Sequence, residues 1–228
     1  MADPYFSPDC MRFLRNIAKN NNRDWFTENK MVYEEVVRTP ALRFIADMAD
    51  DLAILSPHFL AQPKKVGGSL MRIYRDVRFG RDKRPYKTNI GIQFRHEQGK
   101  DVHAPGFYVH IEPGECFVGV GIWRPDSPAL GKIRDRICEH GDKWQSAINQ
   151  KTFKKHYELS GDSLINAPRG YAKDHPLVHD LKRKDFIGIS RIDDDSVLSA
   201  RFRNKVFDRF KVADSYMQFL CQALELRY

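Results

Sequence analysis

Two groups of residues in this sequence have types and spacings that can do chemistry. The stretch RIYRDVRFGRDKRPYKTNIG, residues 72–91, holds seven arginines or lysines and two aspartates. It supplies +5 of a formal net charge of +8, so the basicity is local. Such a cluster attracts phosphates, nucleic acid or acidic protein surfaces. Arg75, Arg78, Lys83 and Lys87 can converge there, arginine as a planar fork and lysine as a point charge. A solvated hairpin accounts for Arg81 and Arg84, but less well for the interleaved Tyr74, Phe79 and Tyr86. Tyr86 either stacks on a base or packs inward. The second group is GFYVHIEP, residues 106–113. Strand side chains alternate between faces, so Tyr108, His110 and Glu112 share one. His110 and Glu112 can act as base and acid. A hydrogen-bonded structural pair is the alternative.

Strands must carry these groups. LMRIYRDV (70–77), IGIQFRHE (90–97), GFYVHIEP (106–113) and CFVGVGIW (116–123) alternate at period two between Gly- or Pro-rich breaks. The short PGE connection at 113–115 favours an antiparallel meander. Phe107, Val109 and Ile111 take one face, with Val118, Val120 and Ile122. One consistent pairing puts Arg72, Tyr74, Gln93, Arg95, Tyr108, His110, Glu112 and Trp123 around Gly119 and Gly121. Glycine within a strand often marks a close approach by a ligand or another chain segment. An open polar face also needs no function. The basic loop, 78–89, lies between the first two strands and is constrained by Gly80 and Pro85.

Helices flank this middle region. Ser7-Pro8, Thr39-Pro40, Ser56-Pro57 and Ser127-Pro128 read as helix starts, with proline at the first helical position. The first helix covers about 8–19. Asp24 is expected to cap a second, and Pro40 to start a third or kink the second. Further helices are expected at 128–139, 142–150 and 174–184, with a late strand at 186–192. A long amphipathic helix closes the chain at about 196–226. With 42% apolar and 12% aromatic residues the chain can bury a core. The fold expected is α+β: one domain over 1–228, an antiparallel sheet of about five strands covered by N-terminal and C-terminal helices.

Several chemistries lack support. GxxxxGK[ST], GxGxxG before a helix and GxSxG are absent. His175 and His179 have a metal-compatible spacing, but Pro176 puts His175 at or before the cap and no HExxH accompanies them. Asp193–Asp195 reads as an electrostatic helix cap. Arg169 and Lys173 are exposed-loop cations that can add anion contacts. The cysteines, Cys10, Cys116, Cys138 and Cys221, form no CxxC pair. MADPYFSPDC has no apolar h-region, and no run reaches the roughly 20 apolar residues of a membrane span. A cytoplasmic, soluble protein is expected, with no cofactor or metal assigned.

The blocks NNRDWFTENKMVYEEVVRTP, RIYRDVRFGRDKRPYKTNIG, GFYVHIEP with GVGIWRPDSPALGKIR, and APRGYAKDHPLVHDLK together resemble the domain of unknown function 2461 family over roughly residues 5–190. The second block is the most specific, although Arg84 stands where a smaller residue is expected. The resemblance implies a stand-alone domain of bacteria and some fungi, and it implies no activity. Its recurring positions fall on Trp25, Arg72, Tyr74, Arg75, Asp76, Arg78, Phe79, Lys83, Pro85, Tyr86, Lys87, His110 and Glu112.

Three functions are open at this point. The leading one is binding of a phosphate-bearing ligand, a nucleotide or nucleic acid. The basic residues with Arg72 would hold its charge, and Tyr74, Tyr86, Tyr108 and Trp123 would frame it. The second is a hydrolase or transferase using His110 and Glu112. The third is a non-catalytic structural or interaction module whose charges pair internally.

Overall fold

Period-two alternation in the middle of the chain builds an antiparallel sheet, and helices from both ends cover one of its faces. The computed structural model describes residues 3–78, 81–99 and 104–228. Phe79 and Gly80 of the basic loop lie outside them. Among the described residues six strands run β1 (Phe59–Leu60), β2 (Ile90–His96), β3 (Gly106–Ile111), β4 (Phe117–Ile122), β5 (Glu158–Ser160) and β6 (Phe186–Arg191). Their spatial order is β1-β2-β3-β4-β6-β5, with every pairing antiparallel. The α+β expectation holds; four of the expected strands form, and β1 and β5 are two short ones that were not expected.

Rows of apolar residues set the register. Ile92, Val109 and Val118 lie across from one another, as do Phe94, Phe107 and Val120. All six are buried. Helix α10 (Phe202–Val212) lays Phe210 on this face, 4.5 Å from the Phe107 ring and 6.1 Å from Phe94. Helix α4 (Thr39–Leu55) joins from the N-terminal side through Phe44, 5.2 Å from Phe202. Helix α11 (Asp214–Ala223) sets Tyr216 between Trp144 of α6 (Gly141–Asn149) and Phe153 of α7 (Lys151–His156). Among the described residues no helix is long and apolar enough to cross a membrane.

The helical expectations need three corrections, and the one at Pro40 holds. Helix α1 (Pro8–Lys19) forms as read, but Asn22, rather than Asp24, caps α2 (Arg23–Glu28) by accepting the Trp25 amide at 3.0 Å. Ser56-Pro57 starts no helix; Ser56 ends α4, and its hydroxyl accepts the His58 amide. Thr39-Pro40 does open a helix, as read: α3 (Lys30–Tyr33) passes through a π turn at Glu34–Arg38 into α4, which carries Pro40 in its first turn, where proline removes an amide donor. The expected helix at 196–226 is three: α9 (Asp194–Val197), α10 and α11. The break at Ala213 lets Phe210 face the sheet while Tyr216 meets Trp144. Asp193 does cap α9, accepting from the Ser196 amide. Helix α5 (Ser127–Glu139) starts one residue before the range read from sequence, and α8 (Val178–Leu181) falls within its own.

Residues 70–77 do not form the expected first strand. Leu70 makes one bridge to Ile92, and then the chain leaves the sheet. Strand β2 begins only at Ile90, so the following residues pair instead with 85–87 in a separate hairpin. Arg75 N–H donates to Pro85 O at 2.9 Å, and Lys87 N–H to Ile73 O at 2.7 Å. Pro85 has no amide with which to extend the ladder. The hairpin is fastened to the N-terminal helices. The Asn21 side chain donates to Tyr86 O and accepts Tyr86 N–H, both at 3.0 Å. The Tyr86 ring stacks on Phe26 with centroids 4.2 Å apart. Replacing Asn21 by alanine is predicted to cost about 1–3 kcal/mol, since it strands a buried-side amide and carbonyl. Denaturant unfolding with amide exchange at Tyr86 checks this; unchanged exchange there contradicts the clamp.

Candidate functional site

The pleat of β3 presents Tyr108 and His110 on the face opposite the helices, and Glu112 follows directly after the strand. His110 Nε2 lies 3.1 Å from Glu112 Oε2, and Thr88 donates its hydroxyl to Glu112 Oε1 at 2.5 Å. An ionised carboxylate only accepts, so the imidazole proton belongs on Nε2. The Nδ1 lone pair then faces the Tyr108 hydroxyl and the Asn89 amide, each at 3.3 Å. Phe117 stacks parallel on the imidazole, 4.5 Å away at 8°, and fixes the ring plane. The His110 and Glu112 side chains keep 15% and 29% exposure, so both remain reachable. The group is a chain of hydrogen bonds from Tyr108 through His110 to Glu112 and Thr88.

Tyr108 also belongs to a hollow. Its ring lines a space of about 300 Å³ with Met71, Phe117, Trp123, Ile187 and Ile189, over Gly106, Gly119 and Gly121. Gln93 adds the other polar side chain. The two glycines singled out in sequence differ in kind. A Cβ on Gly119 would meet Tyr108 and Phe117 at 3.5–3.7 Å, ordinary contact distances. Gly121 has φ +109°, and a Cβ there would lie 2.0 Å from Phe186 O. Gly121 is therefore a backbone necessity, while Gly119 leaves usable room. Gly91 has a third role. A Cβ on it would come within 2.7 Å of the Tyr108 oxygen, so glycine there lets the hydroxyl reach His110.

Burial determines the titration of Tyr108. It pushes the phenol up to about 12, with the Glu112 charge adding to the effect and the Asn89 hydrogen bond opposing it. Tyr108 is thus a neutral hydrogen-bond donor at ordinary pH.

The hairpin cations are arranged differently. Arg78 donates to both Asp76 oxygens, at 3.0 and 2.7 Å. Arg84 and Arg75 share Asp82, at 2.7 and 2.5 Å. Asp76 and Asp82 are held well below the usual carboxylate range by these hydrogen bonds, Asp76 by Arg78 and Asp82 chiefly by Arg84. Lys83 donates to Val77 O at 2.9 Å. Burial lowers the Lys87 pKa, and the neighbouring Arg72 lowers it further.

The residues picked out from sequence therefore divide. Tyr108 and Trp123 line the hollow; Arg72, Arg75, Arg78, Lys83 and Lys87 are not among its lining residues. Tyr86 packs inward at 5% exposure, while Tyr74 is 51% exposed. Because 70–77 leaves the sheet, Met71 reaches the open face in place of Arg72 and Tyr74. Thr88, Asn89, Ile187 and Ile189 were not singled out. The two isoleucines did alternate within the late strand, but strand order, which sequence does not give, decides that β6 sits beside β4. His175, weighed above as a ligand, accepts the Leu177 amide at Nδ1.

A family model described as Conserved hypothetical protein (DUF2461) matches residues 9–219, so the chain belongs to this family. No curated protein and no solved structure matches the chain.

A raised tyrosine pKa stabilises the fold below its unfolded value near 10, and this is lost as pH climbs toward the folded value. Wild type is therefore predicted to lose stability between pH 10 and about 12. Tyr108→Phe should lose less over that interval, by on the order of 2 kcal/mol. Urea unfolding of both proteins at pH 7 and 11 measures the difference. Equal alkaline losses contradict the burial of this hydroxyl.

Proposed function

We propose that the open sheet face binds a small molecule with a largely apolar body, seated in the hollow, with a hydrogen-bonding group directed at Tyr108. One observation carries the reading: the Tyr108 ring is wall to the hollow while its hydroxyl meets the His110–Glu112 pair. A volume of about 300 Å³ is at the lower end of small-molecule sites, roughly 300–1,000 Å³. Mostly apolar walls with a few placed polar groups are the usual character of such sites. The hydrolase or transferase reading is the catalytic form of this proposal. His110, oriented by Glu112, exchanges a proton with the ligand through the neutral Tyr108 hydroxyl.

The hairpin is the weaker place for a phosphate-bearing ligand. Arg75, Arg78 and Arg84 already direct donors at Asp76 and Asp82. An anion there would compete with carboxylates within hydrogen-bond distance.

The test uses anilinonaphthalene sulfonate, an apolar fluorophore with one anionic group. Wild type is expected to bind it saturably at one site and to transfer excitation from Trp123. Gly119→Val places a branched side chain in the hollow without a Cβ clash. It should weaken binding about tenfold or more, a loss of about 1.4 kcal/mol or more, and leave the thermal midpoint within a few degrees of wild type. Equal affinity in the two proteins contradicts the proposal.

A further inference from the structure

A second cavity, of about 510 Å³, opens where α7, the end of β6 and α10 meet. Its charged walls are Lys154, Lys155, Arg191 and Arg209, against a single carboxylate, Glu158. Among the described residues these four cations join no ion pair, in contrast to Arg75, Arg78 and Arg84 of the hairpin. The Arg209 Nε is buried and has no hydrogen-bond partner. An orphaned guanidinium N–H is costly unless something outside the chain meets it.

The fold holds this arrangement in place. The Tyr157 hydroxyl donates to Arg209 O at 2.9 Å and pins α10 beside the strand edge. Strand β5 covers β6 only across Ile187–Ile189, so Ser190 and Arg191 lie beyond its reach in the cavity wall. Lysines in the last turn of α7 complement its terminal carbonyls. That accounts for part of Lys154 and Lys155, and likewise of Arg209 in the last turn of α10, but not for Arg191 or for the orphaned Arg209 Nε.

We propose that this cleft binds a small phosphate-bearing molecule, with Arg209 and Arg191 offering guanidinium forks and Lys154 and Lys155 flanking charge. Forks match phosphate oxygens in pairs, and lysines add point attraction. Burial lowers the His156 pKa, and the nearby Arg209 and Lys155 charges lower it further. Ile189 lines both this cleft and the apolar hollow.

Calorimetric titration of the full chain with inorganic pyrophosphate at low ionic strength tests the proposal. One saturable site is expected. It should weaken about tenfold or more in Arg209→Gln and in the double variant Lys154→Ala/Lys155→Ala, and stay unchanged in Gly119→Val. The lysines are exposed, so the double variant decides the matter should Arg209→Gln fail to fold. ADP binding tighter than pyrophosphate assigns an organic phosphate as ligand, and equal binding assigns recognition of the phosphates alone; both support the site. Absence of pyrophosphate binding, or full binding in the double variant, overturns it. A short single-stranded oligonucleotide that far outcompetes both small phosphates also overturns it, in favour of a nucleic-acid surface.

Discussion

The pleat of β3 is the constraint on which the rest depends. Phe107, Val109 and Ile111 are wholly buried against the helices. A slip of one residue would put all three on the open face and drive Tyr108 and His110 into the core. Each such side chain contributes about 1.5–3 kcal/mol by burial. Three together rival the entire stability of a domain, about 5–15 kcal/mol. The chemistry-bearing row is therefore fixed by residues that do no chemistry. Neighbouring strands complete the arrangement through glycines. Gln93 and Gly119 flank Tyr108, and Gly91 lies opposite His110, which clears the path of the phenol oxygen.

Charge follows a different logic from its distribution along the chain. In the densest basic stretch Arg75, Arg78 and Arg84 are matched internally, because Asp76 and Asp82 each lie two residues before an arginine that folds back onto them. The four cations of the second cavity come from three separate segments: the end of α7, the end of β6 and the last turn of α10. No one of these segments is conspicuous in sequence. Local density along the chain measures how much charge is present, whereas the field at a site depends on which carboxylates lie within a few ångströms.

The parts of the fold legible in sequence were those governed by short-range periodicity. Strands at 90–97, 106–113 and 116–123 alternate, and the core claims every second residue. That His110 and Glu112 lie side by side was legible for the same reason. Residues 70–77 alternate just as well, yet pair with 85–87, because the reach of β2 and a clamp from Asn21 decide their partner. Strand β5 has three residues, too few for a period to show. The final helix breaks at Ala213, a residue with no breaking tendency, because two aromatic clusters pull the chain in different directions. The hollow needed strand order as well as pattern, since Ile187 and Ile189 join Tyr108 only through β4.

The central claim is that the uncovered sheet face, rather than the hairpin, receives a ligand. Mapping backbone and indole N–H chemical shifts while anilinonaphthalene sulfonate is titrated tests this most directly. The largest changes are expected on Gly119, Gly121, Ile187 and the Trp123 indole. Changes concentrated on residues 72–78 and 81–88, with the glycine floor silent, would contradict it.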